Sequence, residues 1–375
     1  MRGKGINYDT GFINKGVSSR EPFDLAVVRR ELQIIRDDLH CNAVRITGGD
    51  PERLDIAARI AAEAGLEVWL SPFTCNLTEA EMLALLADCA ERAERLRRQG
   101  AEVVLLTGAE LSLLNKGFLP GDTIGERLEL LAESQRLRAL IADVPARINS
   151  FLGKAVAVVR ERFGGRLTYA AIPFEGVDWA PFDIISVDMY RSAEVAERYA
   201  AALHSLVAQG KPVAITEFGS ATYRGAADKG ARGGEVIEWD HEAIRPLRLN
   251  GDYTRDEDEQ ADYIRALLMI FATEGVDSAF VFTFVQYQLS HRPSPHEDLD
   301  MGSYSIVKAY EDRLGETYPD MAWEPKVAFT TLARCYGSGP PTVQASSNAS
   351  STPTARGRPG RPRRRACHNA RGAPA

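Results

Sequence analysis

Lys211-Pro-Val-Ala-Ile-Thr-Glu-Phe-Gly219 is a short run of β-branched and small apolar residues that ends on a carboxylate and a glycine. Such a run reads as a buried strand, with Glu217 carried out at its carboxyl end. Glu102-Val-Val-Leu-Leu-Thr-Gly-Ala-Glu-Leu-Ser112 repeats the design and delivers Glu110 in the same way. In α/β sheets and barrels the carboxyl ends of the strands are where ligands bind and chemistry is done. Two strands therefore present two glutamates from one side.

The same grammar extends in both directions along the chain. Gly5–Asp9 reads as a first strand, and Leu25, Val28, Leu32, Ile35 and Leu39 follow at helical spacing. Cys41–Ile46 is a second strand; Asp50 and Pro51 then supply an N-cap and a favoured first residue for a helix that stops at Gly65. Leu66–Phe73 is the third strand, and Thr78 caps a long helix to Arg98 before strand four at Ala101–Leu106. A helical region to Phe163, interrupted near Pro145, precedes strands five (Arg166–Ile172) and six (Phe182–Asp188). A helix over Ala193–Ala208 leads to the seventh strand. A polar insertion at Tyr223–Tyr253, a helix over Asp256–Thr273, an eighth strand at Ser278–Val285 and a closing helix at Ala328–Cys335 complete the count. Eight strands alternating with helices predict a (β/α)8 TIM barrel over residues 1–337. An open doubly wound sheet uses the same alternation, but Asn7-Tyr-Asp-Thr-Gly11 is not a glycine-rich phosphate turn and no P-loop occurs.

Composition narrows the class further. The chain has 375 residues, 45% hydrophobic and 26% charged, enough for one large core. Its net charge of −7 gives no general reason to expect nucleic acid or an anionic membrane as partner. Ser338–Ala375 carries seven arginines and no lysine or acid, so the first 337 residues stand at −14. This Arg/Pro/Ser-rich stretch lacks apolar periodicity and reads as a disordered tail. Arg356-Gly-Arg-Pro359 could serve as a minor-groove hook, but one such match in a segment so biased is expected by chance. The five cysteines follow no zinc or disulfide spacing. No leader or membrane span is recognisable, which points to the cytoplasm.

A retaining glycosidase needs two carboxyl groups about 5–5.5 Å apart, one to attack the anomeric carbon and one to protonate the leaving oxygen. Glutamates ending strands four and seven of a barrel can meet that separation. Asn7, Tyr8, Asp9, Phe73, Glu175, Asp178, Trp179, Gln286 and Tyr287 are candidate sugar contacts around the mouth, with Trp179 the better stacking platform. Trp69 falls inside a strand and reads as core. His241, His291 and His296 match no metal motif, so no metal or other cofactor is expected.

With these residues placed, the chain resembles the clan A glycoside hydrolases, retaining barrel enzymes. The resemblance implies Glu110 as acid/base and Glu217 as nucleophile, Arg45 late in strand two near the nucleophile, and Tyr190 after strand six touching it. It also implies a carbohydrate or glycoside substrate. Trp323-Glu-Pro-Lys-Val-Ala-Phe329 is similar to the closing-helix entry of such barrels. Ala109 stands where the clan usually has asparagine before the acid/base. Gly108–Ser112, Lys116–Gly121 and Arg45–Gly48 resemble bacterial proteins labelled abortive infection proteins, which implies an alternative: a catalytically weak barrel binding carbohydrate or a partner in phage defence.

Overall fold

The computed structural model describes residues 1–132 and 141–337. The expectations for the tail fall outside them. Strands β1 (Gly3–Asp9), β2 (Ala43–Gly48), β3 (Glu67–Pro72), β4 (Val103–Ala109), β5 (Arg166–Ala170), β6 (Ile185–Asp188), β7 (Val213–Phe218) and β8 (Ser278–Val281) pair in parallel in the order β5-β4-β3-β2-β1-β8-β7-β6. A parallel bridge between Ala171 and Val187 joins the two ends. This is the TIM barrel that the alternation predicts.

Local chemistry sets the helices. The Asp24 carboxylate accepts from the backbone of Ala26 and Val27 to start α1 (Leu25–Asp37), and Asp50 does the same ahead of Pro51 for α2 (Pro51–Glu63). Thr78 and Glu81 form a reciprocal capping box on α3 (Glu79–Arg98). Pro145 sits in the first turn of α4 (Val144–Arg160), where its missing N–H costs nothing. Helix α5 is shorter than the periodicity suggests, Tyr199–Val207, because Ala193 donates to the carbonyl of Asp228 and the chain to Arg198 forms turns instead. Helix α6 (Glu257–Glu274) stops at Gly275, which adopts a left-handed φ of 83°. Helix α7 (Val327–Gly337) closes the barrel.

Two apolar layers result. The barrel interior holds Trp69, Val104, Leu106, Ile184 and Phe280 among small residues, and a larger layer lies between strands and helices. Trp69 is fully buried with its ring 4.7 Å from Phe280, as its place within a strand implies. Gly5 makes room for that pair: a Cβ there would lie 2.2 Å from the Phe280 ring. The interior is thus plugged by side chains and leaves only the carboxyl end of the strands for a site. The insertion after β7 folds as 3₁₀ turns over Ala227–Val236 and a hairpin pairing Ile237–Asp240 with Arg245–Leu249.

Candidate active site

Glu217 leaves β7 where the sheet is irregular: the register shifts against both β6 and β8 at this level, and Asp188 stands opposite Glu217. Such bulges re-aim a side chain at the rim of a barrel. Gly219 follows because the backbone turns against β8, where a Cβ would lie 2.3 Å from the Phe282 carbonyl oxygen. The carboxylate, 5% exposed, is held at both oxygens. Arg45 Nη1 donates to Oε1 at 2.8 Å and the Tyr190 hydroxyl donates to Oε2 at 3.0 Å. Arg45 is itself fixed by Ser71 Oγ (3.1 Å), Asn7 Oδ1 (3.2 Å) and the Thr216 carbonyl (3.1 Å). Burial and the charge of Glu217 push the Tyr190 phenol well above its usual range, so it stays a donor.

Glu110 is built differently. The register of β4 slips between Leu106 and Ala109, Gly108 takes φ 131°, and Glu110 adopts φ 44° and ψ 38°. A left-handed glutamate costs about 1–2 kcal/mol and persists only where neighbours hold it. Those neighbours are identifiable: Glu110 N donates to the Ala170 carbonyl at 3.0 Å, Leu111 N to the Tyr169 hydroxyl at 2.9 Å, and Ser112 N to Glu175 Oε1 at 3.0 Å. Tyr169 in turn donates to Glu175 Oε2 at 2.9 Å. The Glu110 carboxyl has no hydrogen-bond or ion-pair partner among the described residues. Burial, then the charges of Asp188 and Glu217, push it well above the usual carboxyl range.

Glu110, Asp188 and Glu217 each bring a carboxyl oxygen within 4.8 Å of the others. Among the described residues this is the grouping of carboxylates, histidines or cysteines tight enough for a cation, although Arg45 already places a guanidinium there. Asp188 is the residue that the sequence reading missed. The signal was present, since Phe182-Asp-Ile-Ile-Ser-Val-Asp188 ends on an acid as the other two strands do.

The other candidates scatter. Asn7 is fully buried and bridges Arg45 to the carbonyls of Thr216, Phe280 and Val281, so it braces the site from beneath. Gln286 accepts from Ser303 Oγ and Tyr304 N, fixing the loop whose Tyr304 packs edge-on against Tyr190. Asp9 is turned to its own loop, accepting from Gly11 N and the Ser19 hydroxyl. Trp179 is not brought to the mouth: it packs on Phe182 along the crossover returning to β6, and its carbonyl accepts from Lys211 just ahead of β7. Glu175 is fully buried beneath the Glu110 turn and cannot meet a sugar; burial lifts it to about 7. The Tyr287 hydroxyl donates to buried Glu31, which also accepts from Tyr8, Arg20 and Trp323. His241 and His296 are exposed, whereas His291 pairs with Asp298 and Arg255. An open cleft of about 510 Å3 near Thr78, Lys116 and Arg147 shares no residue with the acids.

Ala109 is 1% exposed and belongs to the interior layer, so next to Glu110 strand β4 offers no polar side chain to a ligand. Cys41, Cys75 and Cys89 are buried and unpaired, as small hydrophobes would be. No helix among the described residues is long and apolar enough to cross a membrane.

Comparison with known proteins yields no matching family model and no match among curated proteins. Solved structures do match. A β-glucuronidase of Parabacteroides merdae superposes with a TM-score of 0.53 at 14% identity, over 91% of this chain and 37% of that one. The same enzyme with glycerol in its active site gives 0.51 at 13%, over 90% and 36%. An endo-β-1,4-mannanase of Thermotoga petrophila covers 90% of this chain and 76% of its own at 12% identity, with a TM-score of 0.46. The chain thus spans little more than a third of the β-glucuronidase it matches. What it has in common with the β-glucuronidase is the TIM-barrel fold.

Proposed function

We propose that this barrel is a retaining glycoside hydrolase with Glu217 as nucleophile and Glu110 as acid/base. The observation that carries the reading is the division of labour between two facing carboxyls. Glu217 is paired with a guanidinium and a phenol, which hold both its oxygens in the fixed position a nucleophile needs. Glu110 lies within 4.8 Å of it, has no cation of its own and is pushed up, which favours the proton a general acid must deliver. The closeness suits a covalent glycosyl intermediate, because an inverting pair stands about 6.5–9.5 Å apart to admit water.

In the first step Glu217 attacks the anomeric carbon as Glu110 gives its proton to the departing oxygen. Glu110, now a carboxylate, then takes a proton from water that displaces Glu217 from the sugar. Tyr190 and Arg45 hold the nucleophile in line throughout. Asn7 and Gln286 act at one remove, through Arg45 and the Tyr304 loop. Unpaired cysteines among the described residues fit a reducing, cytoplasmic setting for such an enzyme.

Ala109 favours a second reading, a barrel that binds sugar but turns it over weakly, since a hydrogen bond that strengthens in the transition state is missing beside Glu110. The abortive-infection resemblance gains no support from the curated proteins. A panel of nitrophenyl glycosides decides between the readings. Turnover that disappears in Glu217→Ala, together with a Glu217 peptide labelled by an activated 2-deoxy-2-fluoro glycoside, is the expected result. Binding without turnover across the panel would leave the weak-barrel reading.

A further inference from the structure

Asp188 has no part in the two-carboxyl reaction, yet it stands within it. It is 2% exposed, and neither carboxyl oxygen makes a hydrogen bond of good geometry; the Thr216 hydroxyl beside it, itself without another partner, only partly offsets its burial. Arg45 Nη1 lies 3.6 Å from Oδ1, but that nitrogen already serves Glu217, Asn7 and the Thr216 carbonyl. Burying a carboxylate that shares its one cation with a second carboxylate and lacks a well-formed hydrogen bond is costly unless a ligand satisfies it. Asp188 is also the register partner of Glu217 across β6 and β7, with carboxyl oxygens within 4.8 Å. A sugar whose anomeric carbon meets Glu217 therefore places its nearest ring substituent, the one on the adjacent carbon, by Asp188.

Charge identifies that substituent. When the site is ready to react, Glu217 is ionised, Glu110 holds its proton and Arg45 supplies one positive charge. Those charges balance without Asp188, so an ionised Asp188 leaves one negative charge in excess. In the absence of a ligand, burial and the charge of Glu217 push Asp188 well above the usual carboxyl range. A ligand ammonium would offset the excess charge and donate to both unpartnered oxygens. A uronic acid would add a further negative charge to the three carboxyls.

We propose that Asp188 is a recognition residue for a protonated amine on the sugar carbon next to the anomeric one, which makes 2-amino-2-deoxy glycosides the preferred substrate class. This rests on the glycosidase reading for the position of the sugar. The test is to titrate the full chain by calorimetry with glucosamine, galactosamine and mannosamine. Glucose, galactose and mannose, the N-acetylated sugars and magnesium chloride are titrated alongside, at a pH where the free amines are protonated. At least one amine should bind tenfold or more tightly than its hydroxyl and N-acetyl counterparts, and Asp188→Asn and Asp188→Ala should each erase the difference. Equal binding of the charged and neutral sugars by the wild-type chain overturns the proposal whether or not the variants fold. So does a preference that survives in a folded variant, or saturable magnesium binding without amine preference. Nitrophenyl glycosides bearing 2-amino or 2-hydroxyl groups separate the two inferences: turnover without an amine advantage overturns the role of Asp188 and spares the hydrolase. Amine-selective binding without any turnover does the reverse.

Discussion

Glu110 and Glu217 end sister strands of one barrel and come within 4.8 Å of each other, but the two strand ends are built on opposite principles. At β7 the side chain is restrained: a guanidinium and a phenol grip both oxygens, and Asn7 and Ser71 hold the guanidinium. At β4 the backbone is restrained: Tyr169 and Glu175 pin the amides after a left-handed Glu110, and its carboxyl is left without a partner. Restraining the carboxylate with donors fixes the aim of its oxygens. Restraining the backbone among carboxyls and leaving the acid unpaired stabilises its proton. On the proposed reading, one residue type, used twice, thereby acquires two chemistries.

The largest effect expected from breaking this contrast is at β7. Glu217→Ala removes the covalent step for every substrate and should lower kcat by roughly 10⁴-fold or more. Steady-state assays on an activated aryl glycoside measure it; a variant retaining most of its rate would dismiss Glu217 as nucleophile. Glu110→Ala should divide substrates instead. With an alkyl leaving group, which needs a proton, the loss should be about 10²–10⁴-fold, and with a nitrophenolate much smaller in the first step. Equal losses on both would take the acid role away from Glu110. In the wild type, kcat should fall as pH rises through the raised Glu110 value, and Glu110→Gln should remove that alkaline limb.

A smaller effect is expected beneath β4. Glu175 accepts from Ser112 N at one oxygen and from Ile172 N and Tyr169 at the other. In Glu175→Gln the amide nitrogen must face one of these donors, so at least one buried bond is lost, at a cost of about 1–3 kcal/mol. The Glu110 turn should shift and kcat fall on the order of tenfold, with KM little changed. Thermal melts add a check that an effect on the rate alone would not. Burial raises Glu175 to about 7, so between the unfolded value near about 4.3 and 7 the native state binds more protons than the unfolded one. Stability from this group is therefore fully present at the acid end of that window and declines as pH rises across it. Glu175→Gln should flatten that slope; an unchanged slope would assign it to other groups.

The contrast was only half legible in the sequence. Glu110 and Glu217 stand out because a strand ending on an acid is a local pattern, whereas Arg45 and Tyr190 follow only from the resemblance to the clan A enzymes. Glu175, Tyr287 and Trp179 mislead because polarity near a strand end does not reveal direction: Glu175 turns under the Glu110 loop, Tyr287 reaches across to Glu31 on α1, and Trp179 lies along the return crossover. Asp188 ends its strand as plainly as the other two, but what singles it out is a pair of unpartnered oxygens, a property of packing that no spacing encodes. The shortened α5 has the same origin, since Ala193 bonds to Asp228 in an insertion far along the chain. Short-range signals thus set the barrel, whereas contacts between distant segments decide which polar groups face the mouth.

The smallest effect expected is from removing residues 338–375. Every group that distinguishes the two strand ends lies between Asn7 and Glu217, and α7 completes the apolar layer with Ala328, Phe329, Leu332 and Tyr336 buried. Tyr336 donates to the Gly5 carbonyl on β1, so the last described turn of the chain is already fastened to the first strand. The removed segment carries seven arginines, no acid and no apolar periodicity, and so has little with which to reinforce a core. Salt of about 0.15 M screens exposed charges beyond roughly 8 Å, which limits what seven added positive charges can do to a buried site. Truncation after Gly337 should therefore leave the thermal midpoint, and the ratio of alkyl to aryl glycoside turnover, within error at that salt. A midpoint lower by many degrees would mean that the segment packs on the barrel. An altered turnover ratio with the midpoint unchanged would mean that its arginines reach the acids, and the proton on Glu110 would then depend on them as well as on Asp188 and Glu217.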